Sequence, residues 1–198
     1  MKKFIKITLW VLLAVVVGLL LIGLVAPKKF DISRTAYIKA SRVAVWEQIN
    51  PWKNHEHWSP WYKKDTSMKI TIAGTDGEVG ASYAWESDEM GKGKQTIKEV
   101  KPMDFRASDL AIEGWGNPSM ITFSLSDSAE GTKVIWRMQG ENGYFGSIFA
   151  LLFNMNKMMG KDFEDGLGFM KTYIESNPAS PESMPAMESK PADSSKGK

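Results

Sequence analysis

Hydrophobic positions along the chain fall into three regimes. From Ile7 to Ala26 (ITLWVLLAVVVGLLLIGLVA) no charge interrupts the run. A helix of that length, rising about 1.5 Å per residue, matches the roughly 30 Å hydrocarbon core of a bilayer. Over residues 30–175 apolar side chains instead alternate or recur at helical spacing. From Ser176 onward (SNPASPESMPAMESKPADSSKGK) there is no aromatic residue and no apolar period. Such a segment buries too little to offset its ordering entropy, and a disordered Pro/Ser-rich tail over 176–198 is expected.

The middle regime reads as a sequence of short elements. FDISRTAYIKA, from Phe30 to Ala40, alternates and predicts a strand. Ser41 is an N-cap for a helix over RVAVWEQI, with Val43, Trp46 and Ile49 on its apolar face and Pro51 beyond its end. NPWKNHEHWSPWY, residues 50–62, has no period and reads as a loop or a broken second helix. Strands are then predicted at Met68–Ile72, Ala81–Glu86, Lys92–Lys101, Phe105–Ile112, Met120–Leu125 and Thr132–Met138, separated by turn signals such as GTDGEVG and DSAEGT. Tyr83 and Trp85 share one strand face, as do Val134, Trp136 and Met138. Met155, Met159, Phe163, Leu167, Met170 and Ile174 recur at steps of three and four, predicting a long final helix. Gly160, Gly166 and Gly168 lie inside it, each at about 1 kcal/mol relative to alanine, and imply close approach of another backbone or a kink.

Short strands joined by hairpin-sized turns indicate an antiparallel meander. The expected organisation is a short tail (1–6), a transmembrane helix (7–26), one α+β domain (30–175) and the tail (176–198). The domain has about six to seven strands and a long C-terminal helix.

Composition changes this picture little. Charged residues at 24% and hydrophobic ones at 43% are ordinary for a folded domain. The net charge of +2 gives no reason to expect nucleic acid. The absence of cysteine excludes disulfides, thiolate zinc sites and thiol catalysis. Charge does bear on topology. Lys2, Lys3 and Lys6 favour a cytoplasmic N-terminus, while Lys28, Lys29, Arg34, Lys39 and Arg42 pull the other way. The reading adopted is a single-pass protein of the inner (cytoplasmic) membrane with its domain on the extracytoplasmic side. Cleavage after Ala26 is the alternative, disfavoured by Pro27 and by the length of the run.

The order of elements resembles the helix-grip, START-like fold of the polyketide cyclase/dehydrase group (SRPBCC domains), in its membrane-anchored variety. VWEQI at 45–49, HWSPW at 57–61, GASYAWES at 80–87, GTKVIWRM at 131–138 and GKDFEDGLGFMK at 160–171 carry the resemblance in that order. It implies a curved antiparallel sheet gripping the long helix, with an elongated cavity between them. It also implies an apolar small molecule or lipid as ligand, or less often cyclase, dehydratase or hydrolase chemistry on such a molecule.

The candidate chemistry is aromatic rather than catalytic. Trp58, Trp61, Tyr83, Trp85, Trp115, Trp136, Met138, Met159 and Phe163 are the expected ligand-binding residues, with Tyr83 or Arg137 as a polar handle. For Trp46 and Trp136 plain core packing is the preferred reading, with the ligand wall as the alternative. His55 and His57 would share a face on an extended segment, but no third ligand or paired nucleophile accompanies them, so neither a metal nor a catalytic role is assigned. They read as polar residues of a surface loop. No cofactor is expected, and no glycine-rich phosphate loop or nucleophile elbow appears. Lys92, Lys94, Lys98 and Lys101 read as a solvated strand surface. Asp162, Glu164 and Asp165 read as the exposed face of the last helix, with an inward-turned Glu164 as the alternative. YFGSIFALLFNMNKMM, from Tyr144 to Met159, reads either as packing beneath the sheet or as a gate facing the bilayer. The alternative to ligand binding is an interaction module with a filled cavity and a protein partner.

Overall fold

The computed structural model describes residues 2–177. The expected tail, apart from its first two residues, lies outside the described residues.

The chain begins with helix α1 (Lys2–Val25), whose side chains are exposed along nearly its whole length. It is long and apolar enough to cross a membrane. Pro27 and the following lysines lead into β1 (Lys29–Ile38). Helix α2 (Arg42–Ile49) follows, capped as anticipated by the Ser41 hydroxyl, which accepts from the Ala44 amide. Its inward face differs from the expected one. Val45 and Ile49, one turn apart, are buried, while Val43 and Trp46 are only half-buried at its flanks.

Residues 50–62 do form a broken helix: a 3-10 turn (Trp52–His57), then helix α3 (Pro60–Lys64) with Ser59 capping the Tyr62 amide. Six strands complete the sheet: β2 (Lys69–Ala73), β3 (Ser82–Ser87), β4 (Gly91–Lys101), β5 (Phe105–Ile112), β6 (Ser119–Ser128) and β7 (Gly131–Glu141). Helix α4 (Tyr144–Leu152) and the long helix α5 (Met155–Ser176) end the described chain.

The seven strands make one curved sheet in the order β1-β7-β6-β5-β4-β3-β2, every neighbouring pair antiparallel. Only the β1–β7 pairing is non-sequential; it closes the meander by setting Ile32 opposite Met138. Pairing fixes which residues share the inner face, because cross-strand partners point the same way. One ladder runs Tyr83, Gln95, Leu110; another runs Arg106, Phe123, Trp136, Arg34.

Helix α5 lies across that face, burying Met159, Phe163, Leu167, Met170 and Ile174. Two of its glycines answer to contact. A Cβ at Gly166 would come within 2.8 Å of the Trp136 ring and 3.0 Å of Pro60, and one at Gly160 would strike the Arg34 guanidinium. Side chains, not a second backbone, make the approach. Gly168 has open space around it, and nothing in the structure explains it.

Candidate functional site

Between the inner face of the sheet, α3 and α5 lies a cavity of about 220 Å³. Its floor is aromatic. Trp136 on β7 and Phe163 on α5 stack at 4.3 Å, and Phe123 on the neighbouring strand β6 lies 5.1 Å from Trp136. Trp58 and Trp61 meet Trp136 edge-on at 5.4 and 5.7 Å. The three longer separations lie in the favourable range of about 4.5–7 Å for offset-stacked and T-shaped aromatic pairs, and the Trp136–Phe163 stack is slightly closer. Tyr83 and Trp85 on β3 form one side wall. The Trp85 ring can lie flat because its cross-strand partner is Gly93; a Cβ there would fall 2.2 Å from the indole. Met90, Trp115 and Met158 surround the mouth, where Trp115 is 45% and Met158 43% exposed.

All nine residues singled out from the sequence line this cavity. Arg137 does not. Its side chain stands on the outer face of the sheet, where its Nε donates to Asp31 at 2.7 Å. Strand alternation explains the difference, since Trp136 and Met138 on either side of it point inward.

The cavity's polar groups were less legible. His55, Ser59, Gln95 and Asp162 also line it. Gln95 sits within the basic run of β4, where the lysines mask the inward Gly93–Gln95–Ile97 alternation. Asp162 belongs to the acidic stretch of α5 expected to face solvent. It instead turns toward the cavity and ion-pairs with Lys64 of α3, while Glu164 turns away to pair with Arg34. The sequence signal for Asp162 was its place one residue before Phe163, on the edge of the buried stripe.

The two histidines part company. The 3-10 turn sends them in different directions, so the shared face expected of an extended segment does not exist. Nor is His55 on the surface: it is buried, its ring 4.9 Å from Trp52 and 4.5 Å from Trp58. His57 stacks on Tyr173 of α5 at 4.3 Å, with Nδ1 3.1 Å from the Gln48 side-chain oxygen. Among the described residues no three carboxylate or imidazole groups converge.

Behind His55 lies a residue the sequence reading missed. Arg106 is fully buried without a carboxylate in contact. Its Nη1 donates to the carbonyl oxygens of Ile49 and Asn50, at the C-terminal end of α2, and its guanidinium stacks 3.6 Å above Trp52. The nearby Asp76 charge, the negative end of the helix dipole and the indole face stabilise this cation. Burial pushes it down to about 9, leaving it charged at neutral pH. The His55 Nε2 lies 2.9 Å from the Ile49 carbonyl oxygen and 3.2 Å from Arg106 Nη1. Desolvation, then the Arg106 charge, hold this imidazole well below its usual value, so it is neutral at pH 7. Burial likewise pushes the Tyr83 hydroxyl up to about 12, making it a hydrogen-bonding group rather than a base. The Trp136 indole N–H is buried without a partner among the described residues.

No protein-family model matches the sequence, and no curated protein matches it. Solved structures share its fold. A protein from Mesorhizobium loti, MLL2253, is 11% identical with a TM-score of 0.58, over 76% of this chain and 100% of that one. DynU16, a protein in the dynemicin biosynthetic locus, is 16% identical with a TM-score of 0.54, over 74% of this chain and 47% of its own. Aha1 from Colwellia psychrerythraea, solved as a dimer, is 14% identical with a TM-score of 0.50, over 72% of this chain and 96% of that one. At such identities the likeness establishes the helix-grip-like fold alone.

Proposed function

We propose that this chain is a membrane-anchored binding protein that holds a compact apolar molecule, or one apolar portion of a lipid, in the cavity between sheet and α5. The observation that carries this reading is the convergence of Trp58, Trp61, Tyr83, Trp85, Trp115, Trp136 and Phe163 around one open cavity. A domain that needed these rings only for its core would close over them. At about 220 Å³ the space falls just below the roughly 300–1,000 Å³ of drug-sized ligand pockets, which favours a single ring system or chain over a whole diacyl lipid. The Tyr83 hydroxyl supplies a donor for an acceptor atom on the ligand. Helix α1 supplies the anchor, and the domain stands on the extracytoplasmic side.

Catalysis is the weaker reading. His55 and Asp162 do border the cavity, but the imidazole packs against a cation and the carboxylate pairs with Lys64. Neither is hydrogen-bonded to the Ser59 hydroxyl, which instead caps the Tyr62 amide.

The reading is tested by titrating the full-length protein, held in amphipol, with N-phenylnaphthylamine and following tryptophan quenching. Saturable binding that Trp85→Ala weakens is expected. Non-saturable quenching, unchanged in the variant, contradicts it.

A further inference from the structure

Helix α4 leaves one face uncovered by the folded body. It buries Ser147 and Ile148 and turns Phe145, Phe149 and Leu152 outward, with Phe153 continuing the same face. Phe145 is 77% exposed and Phe153 61%. Single exposed apolar residues are ordinary; a contiguous face of four on one short helix marks an interaction site. The sequence allowed packing beneath the sheet for this stretch, and that holds only from Met155 and Met159 onward.

Two relationships say what covers the face. The first is contact with α1. The Tyr144 hydroxyl donates to the Leu20 carbonyl, and Gly23 lies directly beneath Tyr144 and Ile148. The bare face of α4 therefore continues the apolar surface of a helix of membrane-spanning length. The second is topological. β1 starts where α1 ends, and the antiparallel order brings the β3–β4 turn and the β5–β6 loop to that same end of the sheet. Those two connections carry Met90 and Trp115, the rim of the cavity mouth. The Asn142 amide, one residue past β7, donates to the Lys28 carbonyl and ties the start of α4 to the same place. Anchor, apolar helix and cavity mouth thus share one end of the molecule, with exposed Lys28 and Lys29 between them.

We infer that α4 is an interfacial helix that lies in the lipid leaflet beside α1 and seats the cavity mouth on the bilayer surface. Phe145, Phe149, Leu152 and Phe153 enter the acyl-chain boundary, and the two lysines lie at headgroup level. An apolar ligand then passes between leaflet and cavity without exposure to bulk water. This inference rests on reading α1 as a membrane anchor.

Because the chain has no cysteine, single-cysteine labelling of the full-length protein is clean. Phe149→Cys, Leu152→Cys, Val16→Cys and Glu130→Cys are each labelled with NBD. They are reconstituted in phosphatidylcholine–phosphatidylglycerol vesicles carrying doxyl lipids. Labels at 149 and 152 are expected to lose emission to doxyl groups near the headgroups. The label at 16 should respond to doxyl groups near the chain ends, and the label at 130, at the far end of the sheet, to iodide only. A responsive label at 16 with iodide-accessible labels at 149 and 152 overturns the α4 assignment while leaving the anchor intact. Labels at 149 and 152 shielded from both quenchers also overturn it, showing that a protein surface, such as a second copy, covers the helix. A label at 16 that ignores the lipid refutes the anchor itself. Ligand binding, read by N-phenylnaphthylamine, is independent of all four labels.

Discussion

Trp136 and Phe163 stack ring on ring, 4.3 Å apart and 7° from parallel, and so join the inner face of the sheet to the helix that lies across it. Both are nearly inaccessible, yet both border the cavity. The same contact that holds the grip together also forms the cavity floor. Phe163→Ala is therefore expected to destabilise the domain by about 3–5 kcal/mol, the range for deleting a buried aromatic side chain. Urea unfolding monitored by tryptophan emission measures it; a loss under about 1 kcal/mol would show that the helix is held elsewhere.

Trp85 is the contrasting case. It is half-buried at the wall, and its ring rests over Gly93. Gly93→Ala places a methyl where the indole now lies. It should displace the ring and weaken N-phenylnaphthylamine binding several-fold, with cooperative unfolding retained. Unchanged binding would mean that Trp85 does not shape the cavity.

The glycines of α5 give opposite signs. Gly168→Ala meets no neighbour, and helix propensity should stabilise the protein by up to about 1 kcal/mol. Gly166→Ala drives a methyl against Trp136 and Pro60, and overpacking of about 1–3 kcal/mol should outweigh the same propensity gain. Thermal unfolding of the two variants distinguishes them; equal shifts would refute the packing explanation.

His55 makes stability pH-dependent. Its folded-state pKa is depressed, first by burial and then by Arg106, so the unfolded chain binds the proton more readily. The stability from neutral His55 is full above its unfolded value of about 6.5 and is lost as pH falls below it. The slope approaches about 1.4 kcal/mol per pH unit. Asp31 and Asp65 are also held low, but they act only near and below their ordinary value of 3.8. Urea unfolding midpoints from about pH 7.5 to about pH 5 should fall, and His55→Gln should flatten the fall. An equally steep decline in the variant would assign it to another group.

The strands were legible because alternation and turn chemistry agree locally, as at Phe105–Ile112, where the strand has the expected bounds. The inward placement of Trp85, Trp136 and Met138 followed from the same period of two. What stayed hidden depends on distant partners. Arg106 reads as a polar strand residue until α2 brings the Ile49 and Asn50 carbonyls to it. His55 reads as a loop residue until the 3-10 turn rotates it away from His57. Asp162 reads as surface until Lys64 of α3 reaches it. The stretch around α4 reads by composition either as packing or as a bilayer-facing gate, and only the fold shows which of its residues stay exposed.

Occupancy of the cavity is tested most directly by native mass spectrometry of the full-length protein, released in the instrument from gently extracted membranes. A reproducible small-molecule adduct, diminished in Trp85→Ala, is the expected result. A bare chain mass, persisting after incubation with membrane lipid extract, would contradict a binding role and leave the apolar surfaces to a protein partner.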